Sequence, residues 1–186
     1  MSIQKQSSNG GKVVQILQGY VICFTGLNER EIHTASHVCG KLGGRLVDRI
    51  AENVTCLISR RVGSREYQFA VKHTIPVVSP DWLIDCYKQR TLGVIIPFDN
   101  YLLQAFSGLT ISCTQLSPEE RQKVLKWVEA NGGKCVFDLV RDSCTHLVAK
   151  EASGDKYKFA KSWGNVHIVD ISWIRDCVHK QSTFTL

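Results

Sequence analysis

Residues 66–86, EYQFAVKHTIPVVSPDWLIDC, and residues 156–177, KYKFAKSWGNVHIVDISWIRDC, follow one pattern. A charged residue and a tyrosine open a helix-like stretch. A short β-branched run follows (Ile75–Val78; Val166–Val169). A second helix then opens at Ser79-Pro80-Asp81 or Asp170-Ile171-Ser172 and carries W-x-x-D-C. Two such copies along one chain mean a repeat, and a repeat governs the fold more than any single motif does.

The match extends upstream. YVICFTGL (20–27) falls on LTISCTQL (109–116), CGKLGGRLVD (39–48) on VEANGGKCVF (128–137), and VTCLIS (54–59) on CTHLVA (144–149). Thr25 precedes Gly43 by 18 residues, as Thr114 precedes Gly132. The expected organisation is a polar, flexible lead over 1–12, a first repeat over 13–100 and a second over 101–186.

Each copy reads strand–helix–strand–strand–helix–strand–helix. The first strands are Tyr20–Thr25 and Leu109–Thr114. In the second copy Ser117-Pro118-Glu119-Glu120 is a strong helix start, with an N-cap serine, proline at the first position and acids in the first turn. Val124, Trp127 and Val128 then recur at helical spacing. The helix stops at Gly-Gly, where a left-handed residue costs little. Strands that are short apolar runs suit a mainly parallel sheet covered on both faces, hence an α/β fold.

Trp82 and Trp173 are the largest apolar groups of their helices and are expected in the core against the Gly-Gly turns, with Cys86 and Cys177 on the same face.

The bulk figures are those of an ordinary globular chain: 186 residues, 44% hydrophobic, 22% charged, with a formal charge of +6. That charge favours an anionic partner without naming DNA, since Lys and Arg are spread along the sequence. No run is long enough for a membrane span, and the N-terminus has no secretory h-region. The eight cysteines lack paired C-x-x-C spacing and sit mostly in apolar runs, as reduced core residues do. No G-x-x-x-x-G-K-[ST], H-E-x-x-H or G-x-S-x-G is present, and the six histidines have no ligand or triad spacing. His146 is expected to be a hydrogen-bonded core group. An enzyme, a metal, a cofactor and a small-molecule substrate are therefore not expected. The abrupt stop at Leu186 is what a fragment of a longer protein is expected to show.

Gly-Gly after the first helix, the V-T-x-L-I or C-T-H-L-V strand, and W-x-x-D-C in the last helix, in that order and twice, resemble the BRCT family over residues 13 to 186. The second copy is most similar to repeats of the topoisomerase-II-binding checkpoint and replication-initiation scaffolds. The resemblance implies two four-stranded parallel sheets, each flanked by three helices. It also implies a nuclear, non-enzymatic module that binds a phosphorylated protein segment, pSer or pThr, in DNA damage response, checkpoint signalling or replication.

Residue by residue, the resemblance places a phosphate site in the second repeat: the Thr114 hydroxyl, the Gln115 backbone N–H, Arg121 seven residues after Thr114, and Lys156 at the start of the second helix. A phosphoryl group carries about −1.5 to −2 charges and three acceptor oxygens, which such donors match. Trp163, seven residues after Lys156, is either an apolar platform for the ligand or core. The first repeat keeps Thr25 and Gly26 but has Ile32 and Glu66 where the second has Arg121 and Lys156. No phosphate pocket is expected there. Two other readings stay open, a weak binder of DNA ends or phosphates and a structural dimerisation module.

Overall fold

The computed structural model describes residues 14–182. The lead expected over 1–12 lies outside the described residues. The first repeat runs β1 (Val21–Thr25), α1 (Glu29–Lys41), β2 (Arg45–Val47), β3 (Cys56–Ser59), α2 (Arg65–Lys72), β4 (Val77–Val78) and α3 (Pro80–Lys88). The second runs β5 (Thr110–Thr114), α4 (Pro118–Ala130), β6 (Lys134–Val136), β7 (His146–Ala149), α5 (Asp155–Trp163), β8 (His167–Val169) and α6 (Ile171–Ser182). The sheets are parallel, in the orders β2-β1-β3-β4 and β6-β5-β7-β8.

The period-two alternation of the strands assigns the helices to faces. Ile22, Cys56, Ile58 and Val78 point to one side and pack with Val38 and Cys39 of α1 and with Trp82 and Leu83 of α3. Cys23, Leu57 and Val77 point to the other side and meet Ala70 of α2. In the second repeat Ile111, Cys113 and Val148 meet Val124, Val128 and Ile174, while Leu147 and Ala149 meet Ala160.

The local signals behave as the sequence indicates. Ser117 and Glu120 form a reciprocal capping box at the start of α4, and Asn28 with Glu31 does the same at α1. Each cap contributes about 1 kcal/mol. Gly43 (φ 81°) and Gly132 (φ 79°) are left-handed. The next N–H groups, of Gly44 and Gly133, donate to Cys39 O at 3.0 Å and Val128 O at 2.9 Å. That closes a Schellman turn in both repeats. Thr55 and Thr145, the threonines of the V-T and C-T pairs, accept at Oγ1 from the N–H of Val21 (3.0 Å) and Thr110 (3.1 Å), and so tie the third strand to the start of the first.

Three expectations need correction. The glycine turns are not packed by the tryptophans: a Cβ at Gly133 would meet Phe106 and Val128 at 2.7 Å, and one at Gly44 would meet Cys39 Sγ at 2.6 Å and Leu17 at 3.4 Å. Trp82 is fully buried, with Nε1 donating to Ile96 O at 2.8 Å, but Trp173 is only half-buried, lying between Phe106 and His146. Trp127 faces outward while Val124 and Val128 are buried. Six of the eight cysteines are buried, and Cys135 and Cys177 partly so.

The repeats pack through the end of β3 and the linker. Val62 N–H donates to Ser107 O at 3.0 Å, and Val62 touches apolar clusters of both repeats. Gly108 (φ 76°) lies against the Arg61 backbone so closely that a Cβ would come within 2.3 Å of Arg61 Cβ. Leu102 bridges to Val78, and Leu103 N–H donates to Val77 O at 2.9 Å.

Candidate functional site: a cationic cradle at the end of β5

The carboxyl ends of parallel strands are where α/β folds place ligands. At this end of the second sheet, Thr114 closes β5 and is partly exposed, and its hydroxyl makes no hydrogen bond among the described residues. Gln115 follows in a left-handed conformation (φ 58°), the conformation Gly26 (φ 64°) takes at the matching place. Its side-chain amide donates to Ser153 Oγ at 2.6 Å, which ties the turn to the start of α5. Helices α4 and α5 both begin beside this turn, and the start of α5, which has no side-chain cap, favours an anion.

Arg121 and Lys156 arrive from these two helices and converge. The Arg121 guanidinium carbon lies 5.9 Å from the centre of the Phe137 ring, and Lys156 Nζ lies 4.9 Å from the same point. Lys156 Nζ also donates to Phe137 O, to Cys113 O at 3.3 Å and to Ser112 Oγ at 3.4 Å. Ser112 is fully buried, and its own hydroxyl donates to Phe137 O at 3.1 Å. Neither cation has an acidic partner among the described residues. The acids next to them in sequence are Glu120, which is held by Lys150 at 2.9 Å and by the α4 cap, and Asp155, in the first turn of α5, which is in no ion pair with Lys156.

The first repeat has the opposite charge at the same place. Thr25 Oγ1 donates to Glu66 Oε2 at 3.0 Å. The Glu66 carboxyl is held below the usual carboxylate range by its own backbone N–H and by the hydroxyls of Thr25 and Ser64. Of the cations around it, Arg65 acts on the Glu66 carboxyl, Arg60 is paired with Glu31, and the Arg61 side chain lies 3.2 Å from where a Cβ on Gly26 would sit. Two thiols, at positions that do not correspond, feel these charges. Burial pushes Cys23 up, and Glu66 and Asp48 push it the same way. Burial also pushes Cys113 up, but Arg121 and Lys156 pull against it.

Of the residues singled out from sequence, Thr114, Gln115, Arg121 and Lys156 thus come together. Trp163 does not join them. It ends α5, seven residues or about 10 Å along the axis from Lys156. One side packs on the cluster of Leu147, Ala160 and Val166, and its ring stacks on exposed Phe159 at 6.0 Å. Sequence reasoning misses Phe137 and Ser112. The available signal was the alignment, which sets Phe137 on Asp48 and Ser112 on Cys23 in the same comparison that sets Lys156 on Glu66.

Among the described residues no group of three or more His, Cys, Asp or Glu could hold a metal ion, and no helix is long and apolar enough to cross a membrane. His146 is partly buried. It bonds to Thr145 Oγ1 at 2.9 Å through Nδ1, stacks on Trp173 at 4.8 Å, and has its pKa pushed down to about 4 by burial and by His167.

Comparison with known proteins agrees with this architecture. The family model described as twin BRCT domain matches residues 20–82 and 109–173. The S-M checkpoint control protein rad4 of Schizosaccharomyces pombe is 27% identical over 172 residues, which is 89% of this chain and 26% of rad4. PAX-interacting protein 1 of Bos taurus is 34% identical over 108 residues, 58% of this chain and 11% of that protein. The chain therefore spans about a quarter or less of the length of these relatives. The crystal structure of Rad4 BRCT1,2 in complex with a Crb2 phosphopeptide superposes with a TM-score of 0.74 at 28% identity, covering 89% of this chain and 93% of the other. The same Rad4 region in complex with an Mdb1 phosphopeptide gives a TM-score of 0.75 at 28% identity, covering 88% and 92%. Matched by one family model in both halves, and sharing sheet order, glycine turns and W-x-x-D-C helices between them, the chain belongs to the twin BRCT family, whose tandem domains are protein-interaction modules.

Proposed function

We propose that this chain binds a phosphorylated serine or threonine segment of a partner protein, in one pocket, formed by the second repeat. The observation that carries this reading is that Arg121 and Lys156, from two helices, both reach the Phe137 ring, with Lys156 Nζ on Cys113 O directly before Thr114 and neither cation in an ion pair among the described residues. In this reading Arg121 grips two phosphate oxygens, the Lys156 ammonium swings from its carbonyl partners to a third, and Thr114 and the Gln115 N–H donate from the strand end. Trp163 carries an apolar residue of the ligand further along α5.

The phosphopeptides in both Rad4 BRCT1,2 structures support a ligand of this class. The checkpoint role in the name of rad4 supports a nuclear place in checkpoint or DNA damage signalling, as a scaffold without catalysis of its own. The repeats, taken as 13–100 and 101–186, divide the work: the second binds and the first braces it.

A degenerate peptide library with a fixed phosphothreonine or phosphoserine, read against the same library without phosphate, tests the reading. Retention that depends on the phosphate supports it. Equal retention of both libraries, or preference for 5′-phosphorylated DNA over both, would overturn it.

A further inference from the structure

Among the described residues Phe137 is the most exposed of the large apolar side chains, at 75%, and Val140 beside it on the same loop is 52% exposed. An isolated exposed apolar residue is ordinary. Phe137 is not isolated from the chemistry. Its ring lies 4.9 Å from Lys156 Nζ and 5.9 Å from the Arg121 guanidinium carbon, and its carbonyl oxygen accepts from both Lys156 and Ser112. The backbone of Phe137 is thereby fixed to the cradle while its ring stands in solvent at the rim. Leu139, two residues on, packs against the cluster of Leu147, Ala149, Ala160 and Val166, and Arg141 O accepts from Asn165 Nδ2 at 3.0 Å. The loop is held along α5 at both ends, which makes the rim a firm surface.

From this we infer that Phe137 is a specificity residue: its ring receives an apolar side chain of the phosphorylated segment, from a position next to or nearly next to the phosphorylated residue. The inference rests on the phosphate-binding reading above. A phosphate gripped by Arg121 and Lys156 lies within one side-chain length of the ring that both cations flank. An extended ligand advances about 3.3 Å per residue, so only near neighbours of the phosphorylated residue can lie over that ring. Trp163, about 10 Å further along α5, answers to a more distant ligand position. The first repeat supplies the contrast, because there the aligned residue is Asp48 and the cradle is filled by Glu66.

The test uses the fixed-phosphothreonine library with degenerate flanks, and its unphosphorylated counterpart, against the wild-type chain, Phe137→Ala and Phe137→Leu. The wild type should enrich large apolar residues several-fold at one position close to the phosphothreonine. Phe137→Ala should lose that enrichment, bind more weakly and still prefer the phosphorylated library, with an unchanged melting midpoint because the ring is exposed. Phe137→Leu should keep part of the enrichment. Identical enrichment in the wild type and Phe137→Ala, or none near the phosphothreonine in the wild type, would overturn the role of Phe137 while leaving phosphate binding intact. Loss of phosphate preference by the wild type itself would overturn the underlying reading, and this inference with it.

Discussion

The Thr25 hydroxyl donates a 3.0 Å hydrogen bond to the Glu66 carboxylate, so the first repeat fills with its own acid the place where the second keeps Thr114 free beside Lys156. A carboxylate that already takes a hydroxyl and a backbone N–H leaves those donors unavailable to an outside anion, and it repels one as well.

The consequence is one ligand per chain. Calorimetric titration with a phosphopeptide selected from the library should give a single equivalent. Thr114→Val should weaken binding, roughly tenfold for one lost hydrogen bond to a charged group, and Thr25→Val should leave it unchanged. Joint replacement Ile32→Arg and Glu66→Lys should raise the count toward two. A second equivalent in the wild type, or loss of binding in Thr25→Val alone, would mean that the first repeat has a working pocket.

The two tryptophans of the W-x-x-D-C helices differ in burial, and their truncations should differ in cost. Trp82→Ala removes a fully buried ring and a hydrogen bond to Ile96 O, a loss of about 3–5 kcal/mol. Trp173→Ala removes a half-buried ring and should cost about 1–3 kcal/mol. Urea unfolding midpoints decide it, and equal losses would show that burial does not govern these sites.

His146 makes the second repeat acid-sensitive. Burial and the neighbouring His167 hold its pKa down at about 4, below the ordinary 6.5. The unfolded chain takes up a proton near the ordinary value, whereas the folded chain refuses it until about 4. The unfolded state therefore binds more protons across that window, and stability falls as pH drops through it, by up to about 3 kcal/mol. Unfolding of the ligand-free protein at neutral pH and near pH 4.5 should show this slope in the wild type and a flatter one in His146→Gln. The same slope in both would place the acid sensitivity elsewhere.

What the sequence made legible was local and repeated. The Gly-Gly turns, the Ser117 capping box and the strand alternation are short-range signals, and seeing each twice fixed the order of elements. Arg121 and Lys156 could be paired only because their positions match a family pattern, since nothing in their own neighbourhoods shows that two helices aim them at one ring. Trp127 shows the limit of periodicity. At the third position after Val124 it sits at the edge of the apolar stripe, and packing of α4 against α6 leaves it outside. Trp173 was misplaced for a tertiary reason: the linker covers Trp82 through Phe98 and Ile96 O, whereas Trp173 packs on Phe106 and on His146, which stands where the first repeat has Cys56. Phe137 was missed because its role depends on a contact between a loop and two helices, which spacing along the chain does not encode.

The central claim is that Arg121 and Lys156 together hold a phosphate, and charge reversal tests it most directly. A labelled phosphopeptide from the library should be titrated by fluorescence anisotropy into the wild type, Arg121→Glu and Lys156→Glu, with melting curves recorded beside each titration. Charge-assisted hydrogen bonds contribute about 1.5–3 kcal/mol, so loss of one weakens binding roughly tenfold to a hundredfold and reversal does more. The account predicts that both variants melt like the wild type and fail to bind, while the wild type ignores the dephosphorylated peptide. Two well-folded reversed proteins that bind the phosphopeptide as tightly as the wild type would contradict it.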